Sequence, residues 1–144
     1  MAMATTMRSA PLSARVHDLL GRADAELLAA QFSPESWERF SHAHLAALRA
    51  AAAVVAHRGR PAGRGAPRTV WGMLERVEPA LAAWGQFFAD GAALRSAVEA
   101  GRFDAVDEAR AESTLCAAED FLDEARRLLE SDVTGTPDVE RRAS

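Results

Sequence analysis

An all-α fold, an antiparallel bundle of four long helices with a kinked third helix and a short extra one, is predicted by three observations. Ala occurs 33 times in 144 residues while Ile and Tyr are absent, so the strongest helix former dominates and two strand formers are missing. Apolar residues recur at spacings of three and four along four long stretches, which puts each set on one helix face. The connections between them are mostly short and marked by Pro and Gly, as a bundle of neighbouring helices requires.

Val16, Leu19, Leu20, Ala23, Leu27 and Ala30 define the first helix, over about residues 11–31, with Pro11 at a first-turn position that tolerates it. Ser33 is the expected N-cap of the second, with Pro34 as its first residue. Its stripe, Trp37, Phe40, His44, Leu48, Ala51 and Val55, runs to about Arg58. Residues 59–67, rich in Gly and Pro and without apolar periodicity, read as a surface loop. Thr69 is then an N-cap for the third helix. There Val70, Leu74, Val77, Leu81, Trp84 and Phe88 keep one phase through Pro79, which predicts a kink just before the proline, with a full break as the alternative. Asp90-Gly91 ends that segment, and a short helix over 92–100 closes at Gly101. Asp104 is the expected cap of the last helix, whose seam of Ala111, Leu115, Ala118, Leu122, Ala125 and Leu129 ends near Ser131. One helical domain over 11–131 follows, with a disordered N-terminal tail (1–10) and a polar C-terminal tail (132–144).

An apolar share of 49% with 26% charged residues supports a buried core rather than a disordered chain. The longest apolar run, residues 50–56, is too short to span a bilayer, and no leader-like apolar region opens the sequence. A cytoplasmic protein without membrane contact is expected. Cys116 is alone, so no internal disulfide forms; a small apolar filler is its expected role. Ile, Asn, Lys and Tyr, all absent, share AT-rich codons, so the all-Arg basic set carries a coding bias and is not by itself a sign of phosphate binding.

The net charge of −4 conceals a separation of sign. Arg39, Arg49, Arg58, Arg60, Arg64 and Arg68 lie in a stretch free of acids, whereas residues 75–140 carry sixteen acids against six arginines. Arg58, Arg60, Arg64 and Arg68, on or beside a Gly/Pro-rich loop, form a candidate phosphate-binding set; the alternative is a solvated loop that balances the acidic last helix. No metal site is expected: paired cysteines and helical His-Glu motifs are absent, and His42 and His44 face different directions. Gly63-Arg64-Gly65 lacks the Lys and the strand-turn-helix context of a phosphate loop, and no cofactor is expected. His57, ending the second helix, suits the negative end of its dipole.

Arg39 and His44 enclose four residues within the second helix. With this pattern, the stretch AHLAALRAAAAVV (residues 43–55) and the later pairs Val70-Trp71 and Ala83-Trp84, the chain resembles the HEPN domains of prokaryotes over roughly residues 15–130, in particular a small branch from high-GC bacteria. That resemblance implies a dimerising helical bundle. Many such domains cut RNA without metal through an Arg and a His four to six residues apart; others only bind nucleotides, RNA or a partner protein. His moves protons and Arg holds a phosphate and its developing charge. On one helix, however, Arg39 and His44 point roughly 140° apart, so a shared site needs a second helix across a homodimer axis. The alternatives are a surface charge for Arg39, which Glu35 supports one turn away, and a core position for His44 on the apolar stripe. The leading expectation is therefore non-catalytic binding of RNA, a nucleotide or a partner protein. A metal-independent ribonuclease of toxin type, using Arg39 and His44 at a dimer interface, and a helical protein-interaction module without a nucleic-acid role are the competing readings.

Overall fold

The structure, a computed structural model, describes residues 11–134. The expected N-terminal tail (1–10) and residues 135–144 of the expected C-terminal tail (132–144) lie outside the described residues, while residues 132–134 of that tail belong to the last helix. Those described are all-α: α1 (Ala14–Phe32), α2 (Ser36–Arg58), α3 (Val70–Val77), α4 (Ala82–Asp90), α5 (Ala92–Glu99) and α6 (Glu108–Thr134), with 3-10 turns at Pro79–Leu81 and Phe103–Ala105.

Helix α2 is the hub, in contact with α1, α3, α4, α5 and α6. Its stripe faces inward as expected, but Ala43, Ala46, Ala47, Ala50, Ala53 and Val54 are buried too. The run of small residues over 50–56 is the reason: a helix apolar on nearly every side must be surrounded. On α6 the whole predicted seam is buried, joined by Phe121 and Thr114. Trp71, Phe88 and Phe121 pack together where α3, α4 and α6 meet, with ring centroids 5.4–6.3 Å apart.

Several local expectations need correction. The first helix starts after Ser13, whose hydroxyl accepts from the Val16 amide at 3.2 Å, and not at Pro11. Ser33 does not cap α2: its hydroxyl donates to the Ala29 carbonyl at 2.8 Å and so completes the end of α1, leaving Glu35 as the N-cap of α2 without a side-chain bond. The third helix is broken rather than kinked. Glu78 takes φ −147° and ψ 79°, outside the helical region that a following proline disfavours, and Pro79 opens a 3-10 turn before α4 begins. Asp104 sits in the second 3-10 turn; Asp107 caps α6 instead, its carboxylate accepting from the Arg110 amide at 2.8 Å. Helix α6 continues to Thr134, past the predicted stop near Ser131. Cys116 is exposed, because one residue beyond the seam position Leu115 turns away from the core; acidic neighbours Glu112, Glu119 and Asp120 help to raise its thiol pKa after desolvation.

Other boundaries agree. Thr69 caps α3 through a bond from the Gly72 amide at 3.1 Å. Gly101, at φ +93°, ends α5 with paired bonds from Gly101 to the Val98 carbonyl and from Arg102 to the Ala97 carbonyl, both 2.9 Å.

Candidate functional site

The arginines of the acid-free stretch divide into groups with different fates. At the start of α2, Arg39 donates to the Ser33 carbonyl at 3.1 Å and approaches Glu112 of α6 at 3.9 Å, its side chain only 16% exposed. Arg49 is half-buried on α2, with its Nε enclosed and unpartnered. At the end of α2, Arg58 binds Glu78 at 3.0 Å and closes on Asp132 in the last turns of α6. Asp132 also meets His57 Nε2 at 3.1 Å, so both residues that sequence logic assigns to the helix end are tied to another helix. Arg58 is thereby neutralised by two carboxylates.

Two residues further on, the chain turns outward and the pattern reverses. Arg60 and Arg68, from the loop between α2 and α3, and Arg15, from the first turn of α1, line a cleft of about 430 Å³. Its floor is apolar: Ala52, Val55 and Ala56 from α2, Val70 and Met73 from α3. No acidic residue lines it, and none of the three arginines has an ion pair among the described residues. Arg64 is exposed on the same loop but is not part of the cleft wall. The structure thus brings together Arg60 and Arg68 of the predicted quartet, places Arg58 elsewhere, and adds Arg15. Nothing in the sequence could have nominated Arg15, which is far from the loop along the chain and is brought there only by the packing of α1 on α2. Unpaired guanidinium groups above an apolar floor suit a ligand with a phosphate and an apolar part.

His44 is 2% exposed, inside a nest of Phe40, Trp71 and Phe88 with ring centroids 5.7–6.2 Å away. Its Nε2 lies 2.8 Å from the Phe88 carbonyl. A carbonyl only accepts, so Nε2 carries the proton and Nδ1 of the neutral ring is left as an acceptor, buried and unpartnered. Burial lowers the imidazole pKa below its ordinary value of 6.5; the bond to Phe88 opposes that shift, while the Arg95 and Arg110 charges add to it. Packing is tight here: a Cβ at Gly91 would sit 3.3 Å from the His44 ring. Within one chain, Arg39 and His44 face different neighbours, Arg39 the α1–α2 turn and α6, His44 the end of α4.

Beside His44 opens a second cleft, about 320 Å³, between α2, the start of α3 and α5; it shares Val70 with the arginine cleft. No group of three His, Cys, Asp or Glu side chains able to hold a metal occurs among the described residues.

The sequence profile of the HEPN_SAV_6107-like HEPN family matches residues 30–126, about two thirds of the chain. The chain belongs to the HEPN family. The match covers α2 to most of α6, and so takes in Arg39, His44, Arg60 and Arg68 but leaves Arg15 outside. Searches among curated proteins and solved structures return no match. As in the HEPN domain expected from the sequence, every regular element among the described residues is a helix, and no described helix is long and apolar enough to cross a membrane.

Proposed function

We propose that this HEPN protein binds RNA through its phosphates at the cleft of Arg15, Arg60 and Arg68, without cutting it. The observation that carries the reading is the cleft itself: three arginines free of carboxylate partners, on a floor of small and apolar side chains, in a protein whose net charge is negative. A protein that repels polyanions as a whole needs such a local concentration of positive charge to bind one. Arg64, exposed on the same loop, adds to the field around the cleft; Arg58, held by Glu78 and Asp132, does not enter the site in this reading.

The finer architecture belongs to the same proposal. Helices α1, α2 and α6 with the α3–α4 segment form an antiparallel four-helix bundle, with α5 as the extra helix, in a homodimeric, cytoplasmic protein. Support comes from the short α1–α2 connection over residues 33–35 and from the contacts of α1 and α6 with α2. Catalysis by Arg39 and His44 is not part of the proposal, because burial of His44 and its bond to Phe88 withhold the imidazole from a phosphodiester.

Binding of a short labelled RNA, followed by anisotropy across a salt series, tests this. The logarithm of the affinity is expected to fall linearly with that of salt, with a slope of about −2 for three phosphate contacts on a single strand, and the RNA should remain intact in excess chelator. No binding at low ionic strength would overturn the RNA reading; chelator-resistant cleavage lost in His44→Ala would replace it with the ribonuclease.

A further inference from the structure

Two of the three large apolar side chains exposed among the described residues, Leu28 and Phe32, lie one turn apart on α1, 56% and 80% exposed. Their surroundings follow from the register of α1 on α6. Asp24 pairs with Arg126 at 3.0 Å and Gln31 donates to Glu119 at 2.9 Å, which fixes the line along which the two helices meet. One residue before each end of the Gln31–Glu119 bond lies in the core: Ala30 and Ala118 are fully buried. One residue after each end, Phe32 and Asp120 are exposed, so both helices turn these positions outward on the same side of the seam. Leu28 and Asp123 extend this outer face by a turn. It is apolar on α1 and anionic on α6. Glu119, Asp120 and Asp123 have no ion pair among the described residues. Their side of the face also holds Cys116, where Glu119 and Asp120 join desolvation and Glu112 in raising the thiol pKa. Further along the same face Gly21 leaves open space where a Cβ would stand, and the seam widens into a cleft of about 500 Å³ walled by Leu20, Leu129 and Val133. From Gly21 to Phe32 the trough runs about 16 Å, three turns of a helix.

We propose that the α1–α6 trough docks a basic amphipathic helix of a partner protein, whose apolar stripe covers Leu28 and Phe32 while its flanking Lys or Arg residues meet Glu119, Asp120 and Asp123. Two packed helices leave a groove along their seam that a third can fill, and apolar anchors spaced one turn apart match the stripe of such a helix. A lone exposed Leu or Phe needs no partner; a neighbouring pair set in a groove is the kind of patch that a partner covers. Charge selects the occupant. A second copy of this chain, laid face to face about a two-fold axis, would press Asp120 and Asp123 against acids of its own kind. RNA phosphates would meet the same carboxylates. A basic helix meets neither penalty and neutralises charges that the fold leaves uncompensated. The homodimer of the reading above therefore uses another face. Arg15 turns to the other side of α1, where it shares its cleft with Ala52 and Val55 of α2, so the phosphate site stays open while the trough is filled.

The test uses the full chain and a labelled model peptide of about 15 residues, long enough for four helical turns, with Leu on one stripe and Lys on both flanks. Its controls are a scrambled peptide of the same composition and a counterpart with Glu in place of Lys. The Lys-flanked helix should bind wild type at least tenfold more tightly than either control, and Phe32→Ser should lose about tenfold, the scale of one apolar anchor. Phe32 is exposed, so this variant keeps its fold. Asp120→Asn with Asp123→Asn, both exposed, should weaken binding and flatten its salt dependence. Cys116, the single cysteine, reports the location: bound peptide should slow its alkylation severalfold. Equal affinity for the helical and scrambled peptides would reduce the face to a diffuse charge and overturn the docking site. Binding that survives Phe32→Ser and leaves Cys116 alkylation unchanged would put the helix elsewhere and overturn it too. Self-association of the chain that Phe32→Ser abolishes would give the trough to a second copy. Loss of RNA affinity in Phe32→Ser would give it to RNA; either result contradicts the basic helix.

Discussion

Arg58 and Arg60 are two residues apart and carry the same charge, but the structure gives them opposite surroundings. Arg58 closes the C-terminal turn of α2 and finds Glu78 and Asp132 waiting; Arg60 lies beyond the turn at Gly59 and finds Arg15, Arg68 and an apolar floor. An arginine between two carboxylates spends its field on the fold and holds α2, α6 and the break before Pro79 together. An arginine among arginines pays a repulsive energy that an incoming anion relieves. Counting basic residues along the chain therefore measures little; what matters is whether a carboxylate lies within reach in space.

Substitutions can break or sharpen this contrast. The largest expected effect belongs to the free set: Arg60→Ala with Arg68→Ala should weaken RNA binding at low salt by at least tenfold and leave the midpoint of chemical denaturation nearly unchanged, since both side chains are exposed and unpaired. Loss of stability in that double variant would show that the arginines serve the fold after all. The converse is Asp132→Ala, which removes the shared partner of His57 and Arg58. It should cost about 1–2 kcal/mol in denaturant titrations with little loss of RNA affinity.

Next in size is an effect of pH. The His44 imidazole titrates below 6.5 in the folded protein, so the unfolded chain binds the extra proton first as pH falls. Its contribution to stability is complete above the unfolded value and is lost progressively as the solution is acidified below it. Comparing wild type with His44→Gln, whose amide can still donate to Phe88, isolates this: the wild-type curve should lose more stability between neutral and mildly acidic pH. Parallel curves would mean that the imidazole is more solvated than its 2% exposure implies. The smallest expected change is Arg39→Ala. It gives up a bond to the Ser33 carbonyl and a long approach to Glu112, at a cost of about 1 kcal/mol, with no effect on RNA binding.

How far the sequence carries a reader depends on the range of the interaction. Apolar stripes, the Thr69 cap and the Gly101 terminator are written in residues three to five apart, and the structure keeps them. Where a local signal has a rival partner in space, sequence alone selects badly: Ser33 has the chemistry to cap α2 but its hydroxyl completes α1, and Asp104 has the chemistry to cap α6 but lies in the 3-10 turn, leaving the role to Asp107. The unbroken apolar phase across Pro79 was real as a pattern of burial, with Leu74, Leu81 and Phe88 all inside, although the backbone breaks beneath it. Membership of the HEPN family was legible from residues 39–55 of α2 with the later pairs Val70-Trp71 and Ala83-Trp84. The candidate cleft was legible only in part, because Arg58 is removed by partners 20 and 74 residues away and Arg15 is supplied by α1.

The contrast between the two neighbouring arginines is tested most directly by measuring the salt dependence of RNA binding in three proteins side by side: wild type, Arg58→Ala and Arg60→Ala. The account predicts that Arg60→Ala loses about 0.7 from the slope, the signature of one released phosphate contact on a single strand, while Arg58→Ala keeps the wild-type slope despite its lower stability. Equal loss in both variants, or loss in Arg58→Ala alone, would contradict it.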